Sequence, residues 1–236
     1  MSIHVRSIIL KYYGVIVVIK MKPLNPEVCD PIQSGKSIPV IDFRKTETTE
    51  LLAKEIGNAC REWGFFQIVN HGISEKNIKE LWSSTQNFFS LPKGQKRSLN
   101  RTSENPWGYF DHELTKTKRD KKEIFDIGPA NDPSVLDPFS GVTPWPESHP
   151  IFQRTMQDHF ETCEILSLKI MDAICVSLGL DKNHLDGCFR PNHTSFLRLN
   201  YYPVEDPLSD LENEEREDAG LGVHHHTDSG AVTILC

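Results

Sequence analysis

LGVHHHTDSGAVTILC, residues 221–236, is the stretch from which this chain is read. His226 and Asp228 are separated by one residue, and the stretch from Ala231 to Leu235 reads as a strand. Side chains alternate across a strand, so residues i and i+2 point the same way. An imidazole and a carboxylate two apart can therefore reach one ion from one face. They are two of the three donors of the 2-His-1-carboxylate facial triad, which holds non-haem Fe(II) with open positions for other ligands. Alone the pair is a weak signal, because His-x-Asp arises by chance and histidine-rich tracts also occur as nonspecific metal binders or solvated loops.

The surroundings sharpen it. Upstream, Leu197-Arg198-Leu199-Asn200-Tyr201-Tyr202-Pro203 is an alternating strand ended by a proline, and Gly230 to Leu235 downstream is another strand. The pieces NYYP and HTDSGAVTIL resemble the plant-type 2-oxoglutarate/Fe(II)-dependent dioxygenases, the isopenicillin N synthase-like group that includes flavonoid and gibberellin oxidases. A third piece, REWGFFQIVNHG from Arg61 to Gly72, resembles the N-terminal module of the same family, and the motifs stand in family order over residues 38–236. The resemblance implies an α+β chain with a double-stranded β-helix (jelly-roll) oxygenase core and an N-terminal helical and strand module. The expected division is a leader and linker at 1–37, the N-terminal dioxygenase module at 38–150, and bracing helices with the first part of the β-core at 151–236.

A chain of 236 residues with 38% hydrophobic residues supports one or two domains with a sizeable core. Its net charge of −7 and the absence of a basic stripe argue against nucleic-acid binding, which needs clustered Lys and Arg to meet phosphates. The basic run Lys116 to Lys122 is balanced by Glu113, Asp120 and Glu123 and reads as a solvated face. The six cysteines have no CxxC spacing, and Cys60, Cys163 and Cys175 sit among apolar residues of expected helices as free thiols. That usage suits a cytoplasmic, reducing compartment. Ile8 to Ile19 is apolar but holds Lys11 and is too short to span a bilayer, so no membrane association is expected and the stretch reads as a nonfunctional leader.

Taken in order, Ile38 to Phe43 reads as a first strand, Thr49 to Trp63 as a helix stopped by Gly64, and Phe65 to Asn70 as a strand before the turn His71-Gly72. His71 reads as structural rather than metal-binding. Ser74 is a good N-cap for a helix whose apolar stripe is Ile78, Leu81, Trp82, Thr85, Phe88 and Phe89. An irregular region from Asn105 to about Pro150 includes a strand at Lys122 to Ile127, and Tyr109, Phe110 and Phe125 there are either substrate contacts or packing. Phe152 to Leu178 is a long amphipathic helix ended at Gly179, followed by a shorter helix at Asp181 to Cys188 and a strand at Ser195 to Tyr202. The acidic run Asp210 to Asp218 reads as an exposed loop.

What the resemblance implies for chemistry is carried residue by residue. His226 and Asp228 match the two motif ligands for Fe(II); Tyr202 matches a tyrosine that hydrogen-bonds the distal carboxylate of 2-oxoglutarate, and Asn200 a neighbouring polar contact. Asn200 and Tyr202, two apart, share a face; Tyr201 should point away and pack. No residue is assigned a catalytic role. The cofactors implied are Fe(II) and 2-oxoglutarate as cosubstrate, with ascorbate a further candidate, and the partner is a small-molecule substrate taken by a monomer. The reaction is hydroxylation or desaturation of a small organic molecule, such as a specialised metabolite or a hormone. In the family the distal histidine and an arginine-x-serine pair lie some tens of residues beyond His-x-Asp, whereas this sequence stops eight residues after Asp228. His224 is a poor third ligand, because donors at i, i+2 and i+4 lie along a line. The sequence therefore reads as C-terminally truncated, with an incomplete core and no turnover of its own. The alternatives are a family oxidase that uses Fe(II) without 2-oxoglutarate, and a noncatalytic binding or regulatory protein.

Overall fold

The computed structural model describes residues 15–19, 37–44, 49–115, 117–129, 141–189, 194–204, 207–208, 221–224 and 230–236. In chain order the elements are β1 (Val15–Ile19), β2 (Val40–Asp42), α1 (Thr49–Glu62), β3 (Phe65–Val69), α2 (Glu75–Phe89), α3 (Lys93–Arg97) and β4 (Gly108–Phe110). Then follow β5 (Leu114–Thr115), β6 (Lys118–Arg119), β7 (Glu123–Ile127), α4 (Pro150–Ser177), α5 (Asp186–Phe189), β8 (Leu197–Tyr201) and β9 (Val232–Leu235). They fall into two compact units: Met1–Glu75, Glu161–Asn192 and Thr227–Cys236 form the first, and Lys76–Phe160 with His193–His226 the second. Among the described residues no helix is long and apolar enough to cross a membrane.

The first unit holds a sheet ordered β2-β3-β1-β9, with β2 parallel to β3 and β1 antiparallel to both β3 and β9. Its inner strand β1 is VIVVI, a β-branched run suited to a pleated surface. The stretch read as a leader thus supplies a strand with a partner on each side: Val17 lies opposite Phe66 in β3 and Ile234 in β9. Helix α1 buries Leu52, Ala53, Ile56, Ala59 and Cys60 at helical spacing, and β3 buries Phe66 and Ile68 completely. Each such large side chain contributes about 1.5–3 kcal/mol relative to exposure. At Gly57 an added Cβ would lie 2.7 Å from Ser177 Cβ, so α1 and the end of α4 approach more closely than any side chain permits. Helix α4 ends at Gly179 (φ +75), where Leu180 N donates to Cys175 O and Gly179 N to Val176 O, the paired bonds of a Schellman stop. His71 accepts a hydrogen bond on Nδ1 from the Ile73 N–H at 3.2 Å, which gives it a turn-forming role.

The second unit is built on an antiparallel sheet ordered β4-β7-β8, with β5 and β6 as a separate pair. Alternation gives this sheet two faces of different character. One carries Tyr109, Phe125, Ile127 and Leu199, which form the core with Leu81, Phe88 and Phe89 of α2 and Phe152 and Met156 of α4. Phe88 stacks on Phe152 with ring centres 4.8 Å apart and lies 4.6 Å from Phe125. Tyr109 and Phe125 are wholly buried, so of the two readings open for them packing is the one realised. The α2 stripe is narrower than its sequence suggests: Trp82 is exposed.

Two further expectations are corrected. The stretch from Asp181 to Cys188 forms turns and only a four-residue helix at Asp186–Phe189. The basic run is a solvated face only in part: Thr117 and Lys118 are exposed, whereas Arg119, Asp120, Lys122 and the following Glu123 are buried. Asp120, Lys122 and Glu123 tolerate burial because each has a partner of opposite charge. Lys96 Nζ donates to Glu123 Oε2 and to Phe89 O, and the Tyr109 hydroxyl donates to the same Glu123 oxygen. The acidic run Asp210 to Asp218 lies outside the described residues.

Candidate cofactor and metal site

β8 is the element that sorts the candidate residues. Leu197, Leu199 and Tyr201 turn to the core, where Tyr201 stacks on Phe89 at 5.2 Å. Arg198 and Asn200 take the opposite face, paired in register with Asp126 and Ile124 of β7. Asn200 is exposed, and Tyr202, one residue past the strand, is about half exposed. His226 and Asp228 lie outside the described residues, as does the whole of 225–229. Among the described residues no group of three or more His, Cys, Asp or Glu side chains could hold a metal ion.

The polar face is organised by arginine. Arg198 makes a two-pronged bond to Asp126, Nε to Oδ1 and Nη2 to Oδ2 at 2.7 Å each, and its Nη1 reaches Glu113 Oε1 at 3.1 Å. Burial opposes its charge, but Asp126 and Glu113 outweigh burial and raise its pKa further. Arg101 meets Glu113 Oε2 at 3.1 Å and lies over the Phe110 ring at 3.7 Å, a cation–π contact. A planar fork that binds carboxylates through two parallel bonds holds this geometry more tightly than a lysine could.

Tyr202 is seated by the backbone of the segment Leu221–His224. A Cβ added to Gly222 would lie 2.7 Å from Tyr202 Cδ1, so the ring occupies space that only glycine leaves open. Burial raises the Tyr202 pKa, the Asp120 charge adds to this, and Arg198 opposes it. The hydroxyl therefore stays protonated at neutral pH, a donor for an incoming carboxylate.

The same segment is tied to the β6–β7 corner. Lys121 N donates to Leu221 O at 2.9 Å. Asp120 Oδ1 accepts from the His224 backbone N–H at 3.0 Å and contacts His224 Nδ1 at 2.8 Å, while Oδ2 accepts from Thr115 Oγ1 at 2.7 Å. Lys122 Nζ adds a charge contact at 3.4 Å. Burial pushes the Asp120 carboxyl up, but the bonds from Thr115 and His224 and the Lys122 charge more than offset it, leaving the pKa below the usual range. An ionised carboxylate only accepts, so His224 Nδ1 carries the hydrogen. Asp120, Gly222 and the anchoring role of His224 were not singled out in the sequence. KRDKKE has no periodicity that separates a buried acid from solvated ones; its one hint is its position directly before the apolar strand EIFDI.

Asn200 and Tyr202 offer neutral polar groups that suit a carboxylate, and the imidazole and carboxylate of His226 and Asp228 are a donor set that suits Fe(II). Residues 38–148 match the family model described as the N-terminal region of the non-haem dioxygenase in morphine synthesis. Gibberellin 20 oxidase 2 of Arabidopsis thaliana is 32% identical over 205 residues, which cover 84% of this chain and 51% of that protein. This chain thus spans about half the length of that curated relative. A full-length Neurospora crassa protein, solved in complex with alpha-KG, is 28% identical with a TM-score of 0.61, covering 78% of this chain and 58% of that one. JOX2 in complex with 2OG, Fe and JA is 26% identical with a TM-score of 0.59, covering 71% and 48% respectively. The family model, the relatives and the solved structures agree with the motifs: over most of its length the chain is similar to the plant-type 2-oxoglutarate/Fe(II)-dependent dioxygenases.

Proposed function

We propose that this chain supplies the His226 and Asp228 ligands and the Asn200 and Tyr202 cosubstrate contacts of an oxygenase that hydroxylates or desaturates a small organic molecule, working as a monomer. The observation that carries this reading is the seating of Tyr202 on Gly222, four residues ahead of His226 in the chain. It draws the cosubstrate candidate to the segment that runs into the proposed ligand pair. Tyr202 donates its hydroxyl to the distal carboxylate of 2-oxoglutarate, Asn200 adds an amide contact from the same sheet face, and His226 and Asp228 bind the metal. Bound Fe(II) with 2-oxoglutarate supplies the oxidising chemistry. The Arg198–Asp126–Glu113–Arg101 network is charge-compensated and stiff, and it keeps the floor of that face in place.

The name of the gibberellin 20 oxidase relative supports a small organic substrate. The test is anaerobic binding of Fe(II) and 2-oxoglutarate, followed by the charge-transfer absorption of the chelate and by calorimetry. His226→Ala and Asp228→Ala should each abolish the absorption, and Tyr202→Phe should weaken 2-oxoglutarate while leaving the metal bound. Absorption that survives both ligand substitutions sinks the assignment. Size-exclusion chromatography with light scattering checks the monomer.

A further inference from the structure

We propose that Cys163 and Cys236 form an oxidative modification site, a thiol pair that a hydroperoxide converts into an intrachain disulfide tying strand β9 to helix α4. Both residues belong to the first unit, and the fold brings them together from distant parts of the chain. Cys163 stands one turn before Leu166, Ile170 and Ala173, the buried stripe of α4. That part of α4 lies against this unit at two further points: Lys169 Nζ sits 5.0 Å from the centre of the Phe43 ring, and Ser177 fills the space beside Gly57. Cys236 is placed by the ladder between β1 and β9. Ile16 lies opposite Leu235 and Val17 opposite Ile234, so the next step of the register sets Cys236 beside Val15. Alternation then gives Cys236 the same face as Ile234, whose counterparts in β3, Phe66 and Ile68, are wholly buried, while Leu235 turns to the exposed face. A helix stripe and an inward sheet face thus converge on two thiols, and the Cys163 and Cys236 side chains are hydrogen-bonded to each other.

Both thiols are half-buried and free, whereas Cys60 and Cys175 are buried and Cys188 is exposed. The contact also divides the roles. The bond to Cys236, and burial after it, push the Cys163 thiol up, so the shared proton stays on Cys163 and Cys236 is the first to ionise. A thiolate is the attacking species in thiol oxidation. The Cys236 sulfur attacks a hydroperoxide oxygen: an S–O bond forms, the O–O bond breaks, and the departing oxygen takes a proton as water or an alcohol. The Cys163 sulfur then attacks the sulfenic sulfur of Cys236, an S–S bond forms, and the sulfenic oxygen leaves as water with the Cys163 proton. In total two thiols give up two electrons and one hydroperoxide takes them. Closing a hydrogen-bonded contact to the S–S length of about 2.05 Å needs a side-chain turn and a small strand shift. Strand β9 can supply it, because it stands at the edge of the order β2-β3-β1-β9, and among the described residues only β1 pairs with it. The tie closes a loop from α4 to β9, which restricts the unfolded chain and holds down an edge strand. A thiol reductant such as glutathione reverses it.

The test is peptide mapping of the whole chain after reduction, removal of the reductant, exposure to a slight excess of hydrogen peroxide and blocking of the remaining thiols with N-ethylmaleimide. Mass spectrometry of the unreduced tryptic digest should show residues 155–169 joined to residues 217–236, two hydrogens lighter than the two peptides together and released by dithiothreitol. Two free thiols should be lost per peroxide consumed, and the urea midpoint should rise in the oxidised parent. Cys163→Ser should abolish the link and leave a Cys236 sulfenic acid that dimedone traps. Cys236→Ser should abolish it and leave Cys163 unreacted, whereas Cys188→Ser should keep it. The proposal is overturned if Cys236 pairs mainly with another cysteine or with a second chain, or if Cys163 stays free while Cys188 is oxidised. Equal yield of the link in the folded chain and in urea also overturns it, because the pairing would then owe nothing to the fold. Should a serine variant not fold, the link map of the parent, folded against unfolded, decides the matter alone.

Discussion

Substituting Gly222 by alanine probes the packing that brings Tyr202 to the segment Leu221–His224, ahead in the chain of the proposed ligands His226 and Asp228. The new Cβ would stand 2.7 Å from Tyr202 Cδ1 and 3.2 Å from Cε1. Carbon atoms are comfortable at about 3.5–4.0 Å, so the ring must retreat by roughly 0.8 Å or more. Tyr202 is 47% exposed and can move outward, which keeps the folding cost near the low end of overpacking, about 1 kcal/mol. The hydroxyl is carried farther than the ring edge, because it lies at the end of the lever. Loss of one charge-assisted hydrogen bond to the cosubstrate is worth about 1.5–3 kcal/mol. That corresponds to roughly 10–100-fold weaker 2-oxoglutarate binding. Calorimetry with Co(II) present should therefore give Gly222→Ala and Tyr202→Phe similar losses of 2-oxoglutarate affinity and unchanged metal affinity. If Tyr202→Phe loses affinity and Gly222→Ala does not, the packing argument is refuted; if neither does, Tyr202 is not a cosubstrate residue.

Three further outcomes follow from buried groups. Lys96→Met leaves the buried Glu123 carboxylate with the Tyr109 hydroxyl but no ammonium, and urea unfolding should show a loss of about 3–5 kcal/mol. Asp120 has a lowered folded pKa, so its contribution is fully present above the unfolded value of about 3.9 and fades as pH falls through the folded one. Asp120→Asn should accordingly flatten the fall of the urea midpoint below about pH 4, and an unchanged slope would contradict the pairing. Burial pushes the Cys60 thiol up to about 11 while Cys188 is exposed, so iodoacetamide at neutral pH should label Cys188 well before Cys60 in peptide mass spectra.

Local patterns in the sequence were enough for several of the regular elements. Helix α1 runs from Thr49 to Glu62 where a helix from Thr49 to Trp63 is expected, and Gly64 and Gly179 both adopt the positive φ that a helix stop uses. Tyr201 packs into the core as alternation along β8 requires. These features depend on neighbours in the chain, whose spacing a sequence displays directly. The family resemblance is equally local, since it rests on short motifs whose residue types and order are visible without a fold.

What only the tertiary structure decided involves partners distant along the chain. Asp120 meets His224 across 104 positions and Arg198 meets Asp126 across 72, and no periodicity encodes such pairings. Burial of Arg119, Asp120, Lys122 and Glu123 corrects in part the expectation of a solvated face, because whether a charge can be buried depends on the charges that meet it there. The strand Val15–Ile19 likewise has its place between β3 and β9 through long-range ladders, which an isolated apolar run cannot announce. By itself the sequence determined several of the elements, the family resemblance and the residue types suited to iron and a carboxylate. The fold decided which acid is buried, which glycine makes room for Tyr202 and which contacts hold His224, because those depend on three-dimensional neighbours.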